Sequence, residues 1–215
     1  MPDALDDSLG ALVAPMAVGV HAMRWLKPEP GASMAILGCG TIGLCSLLAA
    51  RSLGCERVFI TARHPFQAAA AERLGATAVL PIEPAAAAEA VKDLTRGRGV
   101  DYVVEAVGGA ADTLALALQL ARRQGKIAVL GIFTGGPMPV DIGLATSKEA
   151  TIIFPNCYNV SDGRHDFEVA IDVISKQPSA VRSLVTHEFP LGETDRAFAT
   201  AADKTSGSIK VQVRP

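Results

Sequence analysis

The chain has 215 residues, of which 49% are hydrophobic, which is enough for one large domain, or one and a half smaller ones, with a substantial core. Its 20 basic and 22 acidic residues nearly balance, so the charge gives no reason to expect nucleic acid or an anionic membrane as a partner. Aromatic residues make up only 5% of the chain, which argues against a stacking surface for single-stranded nucleic acid.

The first predicted element is a helix near the N-terminus. Residues 1–10 are acidic and polar, unlike a signal peptide, and the long apolar stretches are broken by Gly, Pro or charge. We therefore expect a cytoplasmic protein without a membrane span. Apolar residues recur at helical spacing from Leu9 to Leu26, which predicts one helix that begins near Pro15. Residues 1–26 are interpreted as a linker helix.

The stretch from Met34 to Arg63 predicts a dinucleotide site. An apolar run, a helical pattern and a second apolar run surround the turn Gly38-Cys39-Gly40-Thr41-Ile42-Gly43. Strand, glycine turn, helix and strand are typical of the first βαβ unit of a dinucleotide-binding sheet, although a chance glycine turn is the alternative. Gly38 permits the tight turn, Gly40 lets backbone approach a pyrophosphate, and Gly43 lets the helix pack closely. Thr41 and Ile42 begin the helix, whose free N–H groups favour phosphate.

Strands and helices continue to alternate up to residue 156. Further helices are predicted at residues 65–74, 83–94 and 110–122, and further strands at residues 78–80, 100–106, 126–130 and 151–154. Two more glycine clusters, residues 108–109 and 131–136, directly follow strands. This alternation predicts an α/β fold with a doubly wound parallel sheet, a Rossmann fold, that binds ligands beyond the carboxyl ends of its strands. Residues 27–156 are interpreted as this dinucleotide-binding domain.

The last third of the chain has a different pattern. An amphipathic helix is predicted at residues 162–176, followed by strand, helix and strand at residues 184–189, 193–202 and 209–213. Residues 157–215 are therefore predicted to form a C-terminal α+β extension.

The cofactor preference depends on the residues that follow the second predicted strand. NAD-binding units usually carry a carboxylate here that accepts hydrogen bonds from the ribose, whereas this chain has Ala62, Arg63 and His64. Ala62 leaves room for a 2′-phosphate, Arg63 could pair with it, and His64 could assist. The pattern favours NADP(H) over NAD(H). The alternative is a surface arginine beside an atypical NAD site.

Cysteines and histidines show no metal-binding pattern. Cys39, Cys45, Cys55 and Cys157 form no CxxC pair and no zinc-site spacing, so we expect buried thiols in a reducing compartment. His21 and His187 are interpreted as packed side chains, and His64 and His165 as loop or helix-edge residues. No metal ligand is predicted.

Several motifs, in order, carry a resemblance to a known family. They are LVAPMAVGVHAM, ILGCGTIGL, VDYVVEAVGG, IAVLGIF, VTHEFPLGETDRAFATA and SGSIKVQVRP. From about residue 9 to its end, the chain resembles the C-terminal half of the medium-chain zinc-type alcohol dehydrogenases, in particular the sorbitol and threonine dehydrogenase branch. The resemblance implies an NAD(P)-dependent dehydrogenase or reductase that moves a hydride between the cofactor and an alcohol or carbonyl.

The same resemblance implies roles for later residues. Ala106, Val107 and Gly108 would line the path to the nicotinamide ribose. Backbone groups of Gly131, Ile132 and Phe133 would face the nicotinamide carboxamide, with Phe154 near the ring, and Lys210 would reach the pyrophosphate. Core packing is the alternative for Phe133 and Phe154, and a solvated charge is the alternative for Lys210.

The departures from the family concern catalysis. The family's zinc ligands and proton relay lie mostly in a front domain that does not precede Met1 here, and Ala14 occupies a position where relatives carry a Glu or Cys ligand. We therefore expect no zinc in this chain and assign no catalytic residue. Three hypotheses remain: a metal-free or partner-dependent oxidoreductase, a non-catalytic NADP(H)-binding module or subunit, and an excised domain of a longer enzyme.

Association is the last expectation. The family pairs the strand that corresponds to residues 151–154 across a two-fold axis, which implies a homodimer. Without a front domain, apolar surface is expected on residues 9–26 and 184–215. The resemblance implies that the residues which select the substrate belong to the front domain.

Overall fold

The structure is a computed structural model that describes residues 5–215. Its strands are β1 (Ser33–Leu37), β2 (Arg57–Thr61), β3 (Ala78–Leu80), β4 (Val100–Glu105), β5 (Ala121–Val129), β6 (Thr151–Ile153), β7 (Val160–Ser161), β8 (Arg164–His165), β9 (Val185–Pro190) and β10 (Lys210–Arg214). Its helices are α1 (Asp7–Gly10), α2 (Val13–Leu26), α3 (Thr41–Ser52), α4 (Pro65–Arg73), α5 (Pro84–Thr95), α6 (Thr113–Leu120), α7 (Ile142–Lys148), α8 (Asp166–Lys176), α9 (Pro178–Arg182) and α10 (Thr194–Ala202).

Six strands form one parallel sheet in the order β3-β2-β1-β4-β5-β6. The chain winds outward from β1 to β3 and then crosses to β4 on the other side of β1. The carboxyl ends of β1 and β4 therefore flank a crevice at the point where the winding reverses, which is where sheets of this kind bind ligands. The predicted doubly wound α/β fold is confirmed.

The central strand β1 is buried on both faces, as parallel strands between helices require. Met34 and Ile36 join a cluster with α2, α3 and α8 on one face. Ala35 and Leu37 join a second cluster with α5 and α6 on the other face. Successive side chains of a strand point to opposite faces, so this short apolar run contributes to both cores.

The N-terminal helix differs from the prediction in two respects. It is divided into α1, which Asp6 caps by accepting a hydrogen bond from the Leu9 amide, and α2, which begins at Val13 rather than near Pro15. The stretch Asp7–Leu26 is long and apolar enough to cross a membrane, with a mean hydropathy of 1.3, but 61% of its most apolar 18-residue window is buried here. A helix in the core of a protein can have the same length and hydropathy.

Apolar surface was also expected on residues 9–26, and this expectation was wrong for most of the stretch. Helix α2 packs against α3 and α8, which cover its apolar side. Trp25, which is 56% exposed, is the main exception.

A predicted helix at residues 110–122 was too long. Helix α6 ends at Leu120, and Ala121 already pairs with Val100 as the start of β5. The register then shifts along this pair, where Gln124 adopts a left-handed backbone conformation with φ of 58°. Strand pairing therefore overrides helical periodicity in this segment.

The helix predicted at residues 162–176 begins only at Asp166, because β7 and β8 form a small antiparallel hairpin before it. The turn residues Asp162 and Gly163 have φ of 53° and 75°, which are typical of a two-residue hairpin turn with an Asp-Gly sequence. His165 then caps α8 by accepting a hydrogen bond from the Phe167 amide. The other predicted elements agree with the structure to within a few residues.

The C-terminal extension is confirmed as an α+β unit. Strands β9 and β10 pair in parallel in a separate two-stranded sheet, and α10 packs on them. Leu191, Phe198 and Val213 are 65%, 73% and 38% exposed, in agreement with the apolar surface expected on residues 184–215. Residues of α8 share a core cluster with α2, so the division of the chain at residue 157 stays a prediction.

A buried carboxylate holds β1 and β4 together at the amino end of the sheet. Asp101 accepts hydrogen bonds from the Ser33 amide and hydroxyl at 2.8 and 2.7 Å, and it pairs with Arg122 at 2.7 Å and Arg98 at 3.0 Å. Burial raises the pKa of Asp101, but the Ser33 hydrogen bonds and the two guanidinium groups outweigh burial and hold the pKa at about 2.

We expect the Asp101→Asn substitution to lower the free energy of unfolding at pH 7 by about 1–2 kcal/mol. The folded pKa lies below the unfolded value, so the charge stabilises the fold above about pH 4 and this contribution disappears as the pH falls towards 2. Urea unfolding at pH 7 and pH 3 would measure it. Equal losses at both pH values would contradict a charge-dependent role. The exposed Asp172→Asn serves as the control.

Candidate functional site

A groove of about 430 Å³ lies beyond the carboxyl ends of β1, β2 and β4. Its walls come from the glycine turn before α3, the segment after β2, the loop after β4 and the start of α6. It is lined by Leu37, Gly38, Cys39, Gly40, Thr61, Arg63, His64, Gln67, Ile82, Pro84, Ala106, Val107, Ala111, Asp112, Thr113, Leu116 and Lys204. The groove occupies the crevice that the strand order predicts.

Each glycine of the turn meets a different physical constraint. Gly38 has φ of 101°, a left-handed conformation that favours glycine, and its amide donates to the Thr61 hydroxyl at 2.8 Å. A Cβ at Gly43 would lie 1.8 Å from the Gly38 carbonyl oxygen, so no side chain fits there. A Cβ at Gly40 would meet no protein atom within 4 Å. The fold therefore requires glycine at residues 38 and 43, whereas at Gly40 the open space belongs to the groove.

Helix α3 begins directly beside the groove. Gly40 is its N-cap residue, and no side chain caps the free amides of its first turn. The Thr41 hydroxyl donates to the Ile209 carbonyl oxygen at 2.8 Å, which ties the C-terminal extension to this helix end. Ile42 is half-buried, and its carbonyl accepts a hydrogen bond from Ser46. The uncapped helix end and its partial positive charge suit an anionic group.

The segment after β2 forms the wall predicted to meet the adenosine ribose. Arg63 is exposed and lines the groove with His64, while Ala62 is half-buried and packs against the core. The His64 ring stacks on Phe66 with centroids 5.4 Å apart. No residue from 61 to 64 carries a carboxylate, whose negative charge would repel a 2′-phosphate.

Backbone hydrogen bonds join the two later glycine loops, which follow the carboxyl ends of β4 and β5. The Gly109 amide donates to the Ile132 carbonyl at 2.8 Å, and the Thr134 amide donates to the Gly109 carbonyl at 3.0 Å. A Cβ at Gly108 would lie 2.6 Å from the Ile132 amide nitrogen, so this close approach needs glycine. The structure thus brings together the loops that the sequence predicted to be near each other.

The predicted residues of these loops differ in their surroundings. Ala106 and Val107 line the groove, and Val107 is 46% exposed. Gly131, Ile132 and Phe133 lie next to the groove but do not line it; Ile132 is 81% exposed, and Phe133 packs against a core cluster. Phe154, at the end of β6, is 67% exposed.

Glu105 is a buried residue that the sequence reasoning missed. It is fully buried at the end of β4, where its Oε1 accepts hydrogen bonds from the Val107 amide at 2.8 Å, the Gly108 amide at 3.0 Å and the Thr113 hydroxyl at 2.8 Å. Among the described residues, Oε2 has no hydrogen-bond partner and Glu105 forms no ion pair. A Cβ at Gly131 would lie 2.3 Å from Oε2. One carboxyl group therefore shapes both loops beside the groove.

Two lysines near the C-terminus line different cavities. Lys204 lines the groove, although sequence reasoning did not select it. Lys210, which was selected, lines a separate cavity of about 460 Å³ with Asp7, Ser8 and Ala11. Lys204 lies far along the chain from the glycine turn, and no local motif in the sequence connects it with the groove.

The described residues do not fit a zinc centre. Within residues 5–215, no group of three or more His, Cys, Asp or Glu side chains is arranged to hold a metal ion. Cys39 and Cys45 are buried, and burial raises the pKa of each thiol to about 12, which disfavours the thiolate that zinc requires. Cys55 is also buried, as expected, but the expectation of burial was wrong for Cys157, which is exposed.

His21 is packed, as predicted, in a polar cluster that joins α2 to α8. The Trp25 indole N–H donates to Nε2 of His21 at 3.2 Å, so Nδ1 carries the proton that is donated to Asp166 at 2.7 Å. Arg24 also pairs with Asp166 at 2.7 Å. Burial raises the pKa of Asp166, but the Asn159 amide, Arg24 and His21 outweigh burial and hold the pKa below its usual range. The other histidines lie elsewhere: His165 caps α8, and His187 is half-buried on β9.

Comparison with known proteins gives consistent matches over the chain. The sequence model of the family described as zinc-binding dehydrogenase matches residues 41–176. Sorbitol dehydrogenase of Bacillus subtilis (strain 168) is 31% identical over 215 residues, which cover 100% of this chain and 59% of that protein.

Solved structures agree with this match. An alcohol dehydrogenase from Thermotoga maritima superposes with a TM-score of 0.87 and 28% identity, over 100% of this chain and 59% of that one. A putative zinc-binding dehydrogenase from Sinorhizobium meliloti 1021, solved bound to NADP, superposes with a TM-score of 0.85 and 26% identity, over 100% and 61% of the two chains. The chain thus spans about three-fifths of the length of these relatives and corresponds to their C-terminal part.

Proposed function

The chain belongs to the zinc-binding dehydrogenase family, and from this premise we propose that it is the cofactor-binding part of an NADP(H)-dependent oxidoreductase. The proposed reaction moves a hydride between NADP(H) and an alcohol or carbonyl compound. The observation that carries the proposal is the groove at the carboxyl edge of the sheet, where Gly40 leaves the start of α3 open to an anionic ligand.

The chain's own residues would bind and orient the cofactor. The turn from Gly38 to Gly43 and the free amides of α3 would hold the pyrophosphate. Ala106 and Val107 would line the ribose on the nicotinamide side, and the backbone of residues 131–133 would hold the carboxamide. When bound, the nicotinamide ring supplies the hydride or accepts it. These residues would contribute by positioning the cofactor and by excluding water from it.

No catalytic residue is proposed within the described chain. Polarising the carbonyl group is commonly the task of a zinc ion in metal-dependent enzymes, but these residues do not fit a zinc site, so no step is assigned to zinc. The alternative function is a non-catalytic NADP(H)-binding module or a subunit that needs a partner domain.

NADPH consumption with aldehydes, ketones and quinones separates the two functions. Turnover by the chain alone, with saturation in both substrates, supports the oxidoreductase. Tight NADPH binding without turnover on any of these substrates supports the module. If neither NADPH nor NADH binds, both proposals are wrong.

We expect Arg63→Ala to weaken NADPH binding by roughly tenfold or more and to leave NADH binding nearly unchanged, because a charge-assisted hydrogen bond to the 2′-phosphate is lost. Isothermal titration with both cofactors would measure the change. The exposed Arg73→Ala, on α4 and outside the groove lining, is the matched control. Equal affinities of the wild-type protein for NADH and NADPH would contradict the proposed preference.

A homodimer and a cytoplasmic location complete the proposal. Strand β6 lies at the edge of the sheet beside β5, so an identical strand could extend the sheet across a two-fold axis. Light scattering after size exclusion would test the dimer, and a monomer at all concentrations would contradict it. The free cysteines of the described chain are compatible with a reducing compartment.

A further inference from the structure

We infer that Lys204 binds the pyrophosphate of the dinucleotide and that the C-terminal turn carrying it completes the cofactor groove. The inference rests on the proposed function and extends it to a segment outside the parallel sheet. Lys204 opens a short 3₁₀ turn, Lys204–Ser206, between α10 and β10.

The charges of the groove support this role. Among the described residues that line it, Arg63 and Lys204 carry positive charge and Asp112 carries negative charge. The groove therefore has one more cation than anions, not counting His64. A dinucleotide brings two negative charges on its pyrophosphate, and Arg63 follows β2, where the adenosine ribose is expected. Lys204 is thus the lysine of the groove that remains for the pyrophosphate.

The turn that carries Lys204 is held in a defined conformation. Asp203 accepts hydrogen bonds from the Thr205 amide at 2.8 Å and the Thr205 hydroxyl at 2.7 Å, and Gly207 closes the turn with φ of 79°. The ammonium group donates to the Ala201 carbonyl at 2.6 Å. An ammonium has three N–H donors, so further donors are free to meet an anion.

The segment is also fixed to the phosphate-binding end of α3. The Thr41 hydroxyl donates to the carbonyl of Ile209, a residue shortly after the turn. This hydrogen bond therefore fixes the C-terminal segment relative to the first residue of α3. A compact ammonium charge on a flexible stem suits the pyrophosphate, which can be met from several directions.

The experiment measures the Kd values of NADPH and NADH for wild-type protein, Lys204→Met and Lys204→Arg. We expect Lys204→Met to raise both Kd values by the same factor, about tenfold, because both cofactors share the pyrophosphate. Lys204→Arg should recover most of the affinity. The exposed Lys176→Met, on α8, is the matched control and should bind like wild type. Because Lys204 is exposed, all variants should melt at the wild-type temperature.

Several outcomes would overturn the inference. Unchanged affinities with Lys204→Met would remove Lys204 from the site, and a loss for NADPH alone would place it at the 2′-phosphate instead. A loss with Lys210→Met and none with Lys204→Met would favour the residue implied by the family resemblance. If the wild-type protein binds neither cofactor, the proposed function itself fails. If it binds both and Lys204→Met binds equally well, only this inference fails.

Discussion

Gly40→Ala is expected to weaken the binding of both NADPH and NADH by about 30-fold, or about 2 kcal/mol, while the protein stays folded. A methyl group at this position meets no protein atom within 4 Å, so the fold tolerates it. The methyl would instead occupy space in the groove at the start of α3, where the proposed function places the pyrophosphate. Titration calorimetry and a thermal melt of the same sample would measure both effects.

Two other glycines serve as controls for this prediction. Gly43→Ala should fail differently, because its Cβ would lie 1.8 Å from the Gly38 carbonyl, and a large loss of stability should accompany the loss of binding. Gly192→Ala should change neither property, since its Cβ also meets nothing and it lies outside the groove. Normal cofactor binding by a folded Gly40→Ala variant would refute the phosphate role of the turn.

The stability of Gly40→Ala itself should change by less than about 1 kcal/mol. Alanine restricts the unfolded chain, which favours folding, but it is a poorer N-cap residue than glycine, which opposes folding. Gly40 has φ of −89°, a conformation that alanine adopts without strain. The two small effects oppose each other, so the melting temperature is a valid test that the binding loss is local.

Glu105→Met is expected to lower the free energy of unfolding by about 3–5 kcal/mol. Methionine has a similar size but cannot accept the hydrogen bonds of the Val107 amide, the Gly108 amide and the Thr113 hydroxyl, which would all lose their acceptor. Because these donors shape the loop after β4, cofactor affinity should fall as well. Urea unfolding and NADPH titration would measure the two losses.

Glu105→Gln is the informative comparison. It keeps an oxygen at the position of Oε1, so the three donors retain their acceptor, and we expect a loss of only about 1–2 kcal/mol. It also replaces Oε2, which has no partner among the described residues. If Glu105→Met and Glu105→Gln unfold at the same urea concentration, the hydrogen bonds to Oε1 do not determine the stability of the loop.

The two predictions test two separate requirements of the same groove. Gly40 concerns space for the ligand, and Glu105 concerns the shape of the loops that face it. The proposed function assigns neither residue a part in the chemistry of hydride transfer. In the proposed function, the described chain therefore supplies cofactor binding, while polarisation of the substrate is not assigned to any of its residues.

The sequence by itself determined the sheet and the position of the glycine turn. Short apolar runs before glycine clusters marked β1, the middle of β4 and the end of β5, because parallel strands buried on both faces are rich in apolar residues. The spacing of Gly38, Gly40 and Gly43 marked the turn, because Gly38 and Gly43 meet local constraints of the backbone and all three fit a known sequence pattern. Periodicity was less reliable where local turn chemistry or strand pairing prevailed, as at Asp162–Gly163 and at Ala121.

Only the tertiary structure decided which distant side chains meet the turn. Glu105 reads as one polar residue at the end of an apolar strand, and its role depends on Thr113 and Gly131, which other segments bring to it. Lys204 and Lys210 cannot be told apart by local pattern, yet the path of the chain places Lys204 in the groove and Lys210 in a separate cavity. Periodicity reports which face of an element is buried, whereas contacts between segments far apart in the chain depend on how whole elements pack.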